Sequence, residues 1–351
     1  MIKYLKFIII LLLFSCEKSI NNYAIVIHGG AGTVIRENTP KELQDQYEDK
    51  LREALEVGYS ILENGGKSID AVEETIKILE DSELFNAGRG SVLTNEETVE
   101  MDASIMTGQD LNAGAVATLK IIKNPISAAR AVMEKSKHVF LSGEGAENFA
   151  KDVGLETISN DYFITESQLN QIKRIKDNKY GTVGCVAIDK SGNITAGTST
   201  GGMMNKKWNR IGDVPVIGAG TYANNKTCGI SATGWGEYFI RNVVAYDISA
   251  MMEYQNKTLR DAARISIHDK VGNMGATGGV IGIDKNGNVM MEFNSPGMYR
   301  GYKTSSSDFI VKMFKDWNLD KKKGPNNRAL ITIKVYFFIE QILLLCKLPN
   351  Y

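Results

Sequence analysis

Tyr180-Gly181-Thr182-Val183-Gly184-Cys185-Val186-Ala187-Ile188-Asp189 divides the chain. A threonine opens an apolar run, a glycine precedes it, and a polar stretch lies upstream over residues 155–180, with charge concentrated at 173–179. An apolar run of this length and composition reads as a buried strand, and the polar stretch as a linker that ends where the strand begins. By itself the segment carries no chemistry, because a threonine suits a strand whether or not it reacts.

Outward from this point, each half of the chain opens and closes on strand-like sequence. Residues 23–27 form a short apolar strand leading into His28-Gly29-Gly30-Ala31-Gly32. Two amphipathic helices follow. Leu51, Ala54, Leu55, Gly58 and Leu62 share one face of the first; Ile69, Val72, Ile76 and Leu79 share a face of the second, behind Ser68 as its N-cap. Residues 99–106 and 113–122 read as strands, and 125–136 and 144–153 as helices. Past Thr182 the sequence repeats itself: Ile188-Asp189-Lys190-Ser191-Gly192-Asn193-Ile194 resembles Ile283-Asp284-Lys285-Asn286-Gly287-Asn288-Val289. Each reads as a hairpin with a Gly-Asn turn. Helices between them are expected over 237–246 and 259–271. Sheets covered on the outside by helices follow, an α/β layered class.

The 351 residues suffice for one large domain or two small ones. Lysine plus arginine and aspartate plus glutamate are both 41, so the net charge is zero and no nucleic-acid or acidic partner is implied. Lys3 and Lys6 precede an unbroken apolar run over residues 7–14, too short to span a bilayer. It ends at Leu13-Phe14-Ser15-Cys16, which looks like a bacterial lipobox. Residues 1–15 then read as a lipoprotein signal peptide, with Cys16 carrying lipid in a cell envelope; a plain secretory signal is the alternative. Cys185 and Cys228 read as small buried hydrophobes. Beyond Arg300 the pattern deteriorates. Residues 301–351 read as a divergent tail whose apolar stretch, 329–346, carries Lys334 and Glu340 and leaves both a membrane span and an irregular end open.

Three local motifs fail on context. Gly197-Thr198-Ser199-Thr200-Gly201 fits a serine nucleophile elbow, but that elbow must lead into a helix, and Gly202-Met203-Met204-Asn205-Lys206-Lys207-Trp208 is a poor helix start. Gly66-Lys67-Ser68 is P-loop-like, but Ile61 stands where that motif needs glycine. His28, His138 and His268 are the three histidines, and none pairs at helical spacing for a metal.

Several separate segments, all in one order, carry a resemblance. They are His28-Gly29-Gly30-Ala31-Gly32-Thr33, Phe85-Asn86-Ala87-Gly88, Met101-Asp102-Ala103-Ser104-Ile105-Met106, Gly181-Thr182-Val183-Gly184, Gly197-Thr198-Ser199-Thr200-Gly201-Gly202, Gly212-Asp213-Val214-Pro215, Gly218-Ala219-Gly220-Thr221-Tyr222-Ala223 and Ser231-Ala232-Thr233-Gly234-Trp235-Gly236-Glu237. Over residues 24–300 the chain resembles the type 2 (plant-type) asparaginase and isoaspartyl peptidase family of N-terminal nucleophile (Ntn) hydrolases. The resemblance implies an αββα sandwich, the Ntn-hydrolase fold, and self-cleavage after Gly181. An α subunit, 16–181, and a β subunit with its core at 182–300 would result.

By the same resemblance Thr182 is the nucleophile and its freed α-amine the base. Thr200 hydrogen-bonds the nucleophile, Thr233 and Gly234 form the oxyanion hole, and Asn86 lies nearby. Arg210 and Asp213 clamp the α-carboxylate and α-ammonium of an aspartyl substrate, with Gly236 lining the clamp. His28 is expected to be a hydrogen-bonded support for self-cleavage. No cofactor is implied for catalysis. The loop of Leu79, Glu80, Ser82, Phe85, Ala87 and Arg89 is one whose backbone carbonyls hold a structural sodium ion in relatives. The expected activity is hydrolysis of β-aspartyl dipeptides and L-asparagine by an (αβ)2 homodimer. Glycosylasparaginase activity on N-glycosylated asparagine is the alternative, and an inactive lipoprotein of the same fold the third reading.

Overall fold

A computed structural model describes residues 22–173 and 181–315. The expected signal peptide, Cys16, the end of the linker and the apolar stretch at 329–346 lie outside the described residues.

Among the described residues the strands are β1 (Ala24–Gly32), β2 (Met101–Thr107), β3 (Ala113–Leu119), β4 (Phe140–Ser142), β5 (Val183–Ile188), β6 (Ile194–Thr200), β7 (Thr221–Ala223), β8 (Cys228–Gly234), β9 (Gly278–Asp284), β10 (Val289–Phe293), β11 (Gly297–Thr304) and β12 (Ile310–Phe314). They form an eight-stranded sheet in the order β12-β11-β1-β5-β6-β2-β3-β4 and a four-stranded sheet in the order β10-β9-β8-β7. The strand that begins after Thr182 lies at the centre of the larger sheet, between β1 and β6.

Period-two burial explains the layering. Ile25 and Ile27 of β1, with Val183, Cys185 and Ala187 of β5, face α1 (Lys41–Glu63) and α2 (Ser68–Glu80). Ala24, Val26, Val186 and Ile188 face the other way and meet Ile281 and Ile283 of β9 between the two sheets. The smaller sheet turns Cys228, Ile230 and Ala232 toward α7 (Val244–Gln255) and α8 (Leu259–Arg264). Helix, sheet, sheet, helix is thus the order of layers, the αββα sandwich. The apolar faces read from sequence on the first two helices are buried, with Leu51, Leu55, Leu62, Val72, Ile76 and Leu79 fully so. α3 (Pro125–Lys135) and α4 (Gly143–Asp152) cover the β3 side of the same sheet.

The two repeated turns match in detail. Asp189 Oδ1 accepts the backbone N–H groups of Ser191 and Asn193 at 2.9 and 3.1 Å. Asp284 Oδ1 accepts those of Asn286 and Asn288 at 2.8 and 2.9 Å. Each carboxylate closes the hairpin through an Asx-type turn.

Five expectations from sequence change. Ser68 does not cap α2; it is the first helical residue, and Asp189 Oδ2 accepts its backbone N–H at 3.1 Å. That contact also explains the P-loop-like Gly66-Lys67-Ser68: the helix start already holds a carboxylate. The polar stretch is not wholly a linker. Residues Asn160–Phe163 form a 3-10 turn and Glu166–Lys173 a helix, α5, because Phe163 is buried and Asn160 hydrogen-bonds Val99 and Lys120. The helix expected over 237–246 is two, α6 (Gly236–Asn242) and α7, separated at Val243, whose φ is +47°. α8 likewise gives way to a π-helical turn, Ile265–Val271. Finally, the fold does not end at Arg300. β11 runs through it to Thr304, and β12 pairs beyond, because Arg300 is buried with Nη1 donating to Met298 O and Nη2 to Phe314 O.

Candidate active site

β5 and β6 run antiparallel, and β1 and β2 flank them, so the start of β5 is reached from four strands. Val183 pairs with Ser199, which sets Thr182 opposite Thr200 at the end of the ladder. Thr182 Oγ1 lies 3.3 Å from Thr200 Oγ1 and 2.7 Å from the carbonyl oxygen of Gly181. The same oxygen receives Thr200 Oγ1 at 2.9 Å and Asn86 Nδ2 at 2.8 Å. Three donors therefore converge on one carbonyl, a concentration that polarises it and would stabilise negative charge there. Asn86 is held by the turn it serves: its Nδ2 also donates to Gly202 O, and its Oδ1 accepts Val92 N–H.

The first glycine cluster lies against this bond. Gly30 has a φ of +112°, and a methyl group there would lie 3.2 Å from Gly181 Cα and 3.3 Å from Thr182 N. Behind it, His28 is fully buried, with Nδ1 3.0 Å from Thr182 O and Nε2 3.0 Å from Ser231 Oγ. Burial pushes its imidazole down to about 3, against the pull of the bond to Thr182, so the ring is neutral. A carbonyl only accepts, so Nδ1 carries the proton and Nε2 must accept from Ser231. The serine in turn takes the hydroxyl proton of Thr198 at 2.7 Å, and Thr198 that of Thr221 at 2.6 Å. A directed file of buried hydroxyls thus joins the two sheets at the nucleophile candidate.

Thr233 sits two residues beyond Ser231 on β8. Its Oγ1 accepts the N–H of Ala31 at 3.2 Å, leaving its own proton to point elsewhere. Gly234 follows; a methyl there would press within 2.6 Å of Gly278 Cα and 2.7 Å of Thr277 O. Past it, Gly236 lies against the charge pair. A methyl on Gly236 would lie 2.8 Å from Asp213 Oδ1 and 2.9 Å from Arg210 Nη2. The structure therefore brings Arg210, Asp213 and Gly236 together, as it brings Thr182, Thr200, Asn86 and Gly181.

Asp213 is buried, and its Oδ2 has no hydrogen-bond partner. Burial pushes its carboxyl up to about 7, with Arg210 among the groups that oppose the rise. An unpaired buried carboxylate is costly unless a cation arrives to share the site. Arg210 is gripped by Glu237 in a two-point fork, Nε to Oε1 at 2.9 Å and Nη2 to Oε2 at 2.7 Å. Sequence assigned Glu237 no role. It adjoins Gly236 in the quoted motif, but a pairing 27 residues from Arg210 has no local signal. The file through Ser231, Thr198 and Thr221 was missed for the same reason.

The serine elbow is excluded by geometry. Ser199 is buried and donates to Glu80 Oε1 at 2.6 Å, and His268 pairs instead with Glu292 at 2.8 Å. Among the described residues no group of three or more His, Cys, Asp or Glu could hold a metal ion, and no helix is long and apolar enough to cross a membrane.

The family model described as Asparaginase matches residues 21–311. The isoaspartyl peptidase of Salmonella typhimurium is 45% identical over 298 residues, 80% of this chain and 95% of the relative. That of Escherichia coli is 44% identical over 294 residues, covering 79% and 92%. The isoaspartyl peptidase/L-asparaginase of Xenopus laevis is 41% identical over 280 residues, covering 77% and 89%. With a threonine paired to a second threonine beside its own preceding carbonyl, in an αββα sandwich, the chain belongs to the type 2 asparaginase family of Ntn hydrolases.

Proposed function

We propose that the chain is a self-cleaving threonine amidohydrolase that releases aspartate from β-aspartyl dipeptides and L-asparagine. The observation that carries this is the Gly181 carbonyl, faced by Thr182 Oγ1 and held by Asn86 and Thr200. In self-cleavage, Thr182 Oγ adds to the Gly181 carbonyl carbon. Asn86 Nδ2 and Thr200 Oγ1 take the developing oxyanion. The C–N bond breaks, the nitrogen takes the proton the hydroxyl gave up, and an ester joins Gly181 to Thr182. Water opens it, leaving a carboxylate on Gly181 and a free amine on Thr182.

That amine has a reference pKa near 7.7–8.0, so a useful fraction is neutral near pH 7–8 and can accept the Thr182 hydroxyl proton. In turnover Thr182 Oγ attacks the substrate's side-chain carbonyl. The proton of Thr233 and the N–H of Gly234 are the donors for its oxyanion. Arg210 receives the substrate α-carboxylate, and Asp213, with its unpartnered oxygen, the α-ammonium. Ammonia or an amino acid leaves with the proton held by the Thr182 amine, and water frees aspartate from the acyl-enzyme.

A structural sodium ion in the loop of residues 79–89 is part of this reading. It is supported by carbonyls that crowd two glycines: a methyl on Gly88 would lie 2.2 Å from Glu80 O, and one on Gly90 1.9 Å from Phe85 O and 2.9 Å from Ser82 O. Oxygen-only carbonyl donors suit a hard monovalent cation. Assembly as (αβ)2 and attachment to a bacterial envelope through lipid on Cys16 complete the proposal, the latter on the strength of the leader sequence.

The test is denaturing electrophoresis with N-terminal sequencing of the purified protein, followed by assays on β-aspartyl-leucine, asparagine and a glycosylated asparagine. Two chains, the second beginning at Thr182, and turnover of the first two substrates are expected. A single intact chain that still hydrolyses them would overturn it.

A further inference from the structure

Lys206 is a buried cation that the reaction as written does not use. Its side chain is 1% exposed. Its Nζ donates to the backbone carbonyl of Glu100 at 2.9 Å and lies 3.9 Å from Glu100 Oε2. Burial opposes its charge, the nearby Asp102 and Glu100 carboxylates support it, and Arg210 and Lys120 repel it. A buried ammonium must be compensated by acceptors and opposite charge, and the position of that compensation is set by the fold.

The tip of Lys206 lies beside the turn after Thr200. A methyl group on Gly202 would lie 3.1 Å from Lys206 Nζ and 3.3 Å from its Cδ, so the ammonium packs directly beneath that glycine. Gly202 N–H donates to Thr200 Oγ1 at 2.9 Å, and Gly202 O accepts Asn86 Nδ2 at 2.7 Å. Thr200 Oγ1 and Asn86 Nδ2 both donate to the Gly181 carbonyl. The backbone beside Lys206 is tied to the same neighbouring segment: Asn205 N–H donates to Leu93 O at 2.8 Å and Asn95 N–H to Lys206 O at 2.9 Å. Asp102 pairs with Thr200 across β2 and β6, with its carboxyl buried and its Oδ2 without a hydrogen-bond partner.

We propose that Lys206 is a positioning residue for the reaction at Thr182, its buried ammonium fixing the Gly202 turn that aims Thr200 and Asn86. This rests on the assignment of Thr182 and Thr200 above. Its expected effect is on the chemical step, because Arg210 is positioned by its own fork with Glu237.

The experiment compares full-length wild type, Lys206→Met, Lys206→Arg, Asp102→Asn and Thr182→Ala. It follows the self-cleavage rate by electrophoresis, then kcat and KM on asparagine, with folding checked by circular dichroism. Folded Lys206→Met is expected to slow both self-cleavage and kcat at least tenfold, with KM within about twofold. Lys206→Arg, which keeps the charge, should recover at least threefold of that loss. Wild-type rates in folded Lys206→Met overturn the proposal, as does a rise in KM alone. If Lys206→Met does not fold, Asp102→Asn decides: its Oδ1 keeps the bond that Thr118 N–H makes at 2.8 Å, while the charge facing the ammonium is gone. Normal kcat in that folded variant also overturns it. Cleavage and activity in Thr182→Ala would instead defeat the nucleophile assignment, a separate result.

Discussion

Gly30 and Gly181 meet face to face: a methyl group on Gly30 would come within 3.2 Å of Gly181 Cα. The contact is tighter than most real methyl contacts, and the backbone of Gly30 adopts a φ of +112° that side chains rarely tolerate. Gly30→Ala is therefore expected to fold with a loss of about 1–3 kcal/mol and to slow self-cleavage strongly. Electrophoresis against time reads the rate. Cleavage at the wild-type rate would show that the glycine contact has no part in the step.

Removing donors from the Gly181 carbonyl separates their roles. Thr182→Ala should remain one chain and show no hydrolysis. Asn86→Ala removes one oxyanion donor, and the loss of such a donor lowers rate by about 10²–10³. Its precursor should accumulate, and mass spectrometry of the purified protein would show the uncut form as the major species.

Asp213 predicts a pH effect with a definite sign. Its carboxyl is raised to about 7 in the free protein, so it takes up a proton as pH falls through 7 and ceases to attract the substrate ammonium. The ratio kcat/KM, which reports the free enzyme, should fall on the acid side as the Thr182 amine and Asp213 each take up a proton, and Asp213→Asn should leave only the amine's limb. With substrate bound the ammonium favours the ionised carboxylate, so the corresponding limb of kcat should shift to lower pH. Asp213→Asn should raise KM by roughly 30-fold or more, the scale of losing one partner of a buried charge pair. A KM within threefold of wild type would remove Asp213 from the clamp.

Arg300 and β12 predict where the chain can be shortened. Ending it at residue 300 deletes β12 and the half of β11 that pairs with Ala24 to Ile27 of β1. The melting temperature should fall by roughly 10 °C or more relative to the full chain, at about 2–4 °C per kcal/mol. Arg300→Met, which keeps bulk but loses the bonds to Met298 O and Phe314 O, should lower it by a few degrees. Calorimetry on both variants decides the point; unchanged melting in the truncated chain would place the edge of the fold at β11.

Some of this is legible in the sequence alone. The alternation of Ile25 and Ile27 against Ala24 and Val26, and the helical spacing of Leu51, Leu55 and Leu62, declare their buried faces because periodicity is local. The two Asp-x-x-Gly-Asn turns declare themselves for the same reason. The order of motifs around Thr182, Arg210 and Asp213 was also visible in the chain, and with it the family. Contacts between distant segments were not. Glu237 on Arg210, Lys206 on Glu100, and the file from Thr221 through Thr198 and Ser231 to His28 join residues up to 203 positions apart. Sequence named Thr182 through its neighbours and its resemblance. Only the packing of two sheets face to face decided what surrounds it, because a hydrogen bond needs two atoms within about 3 Å and nothing in chain order specifies that for residues on different strands.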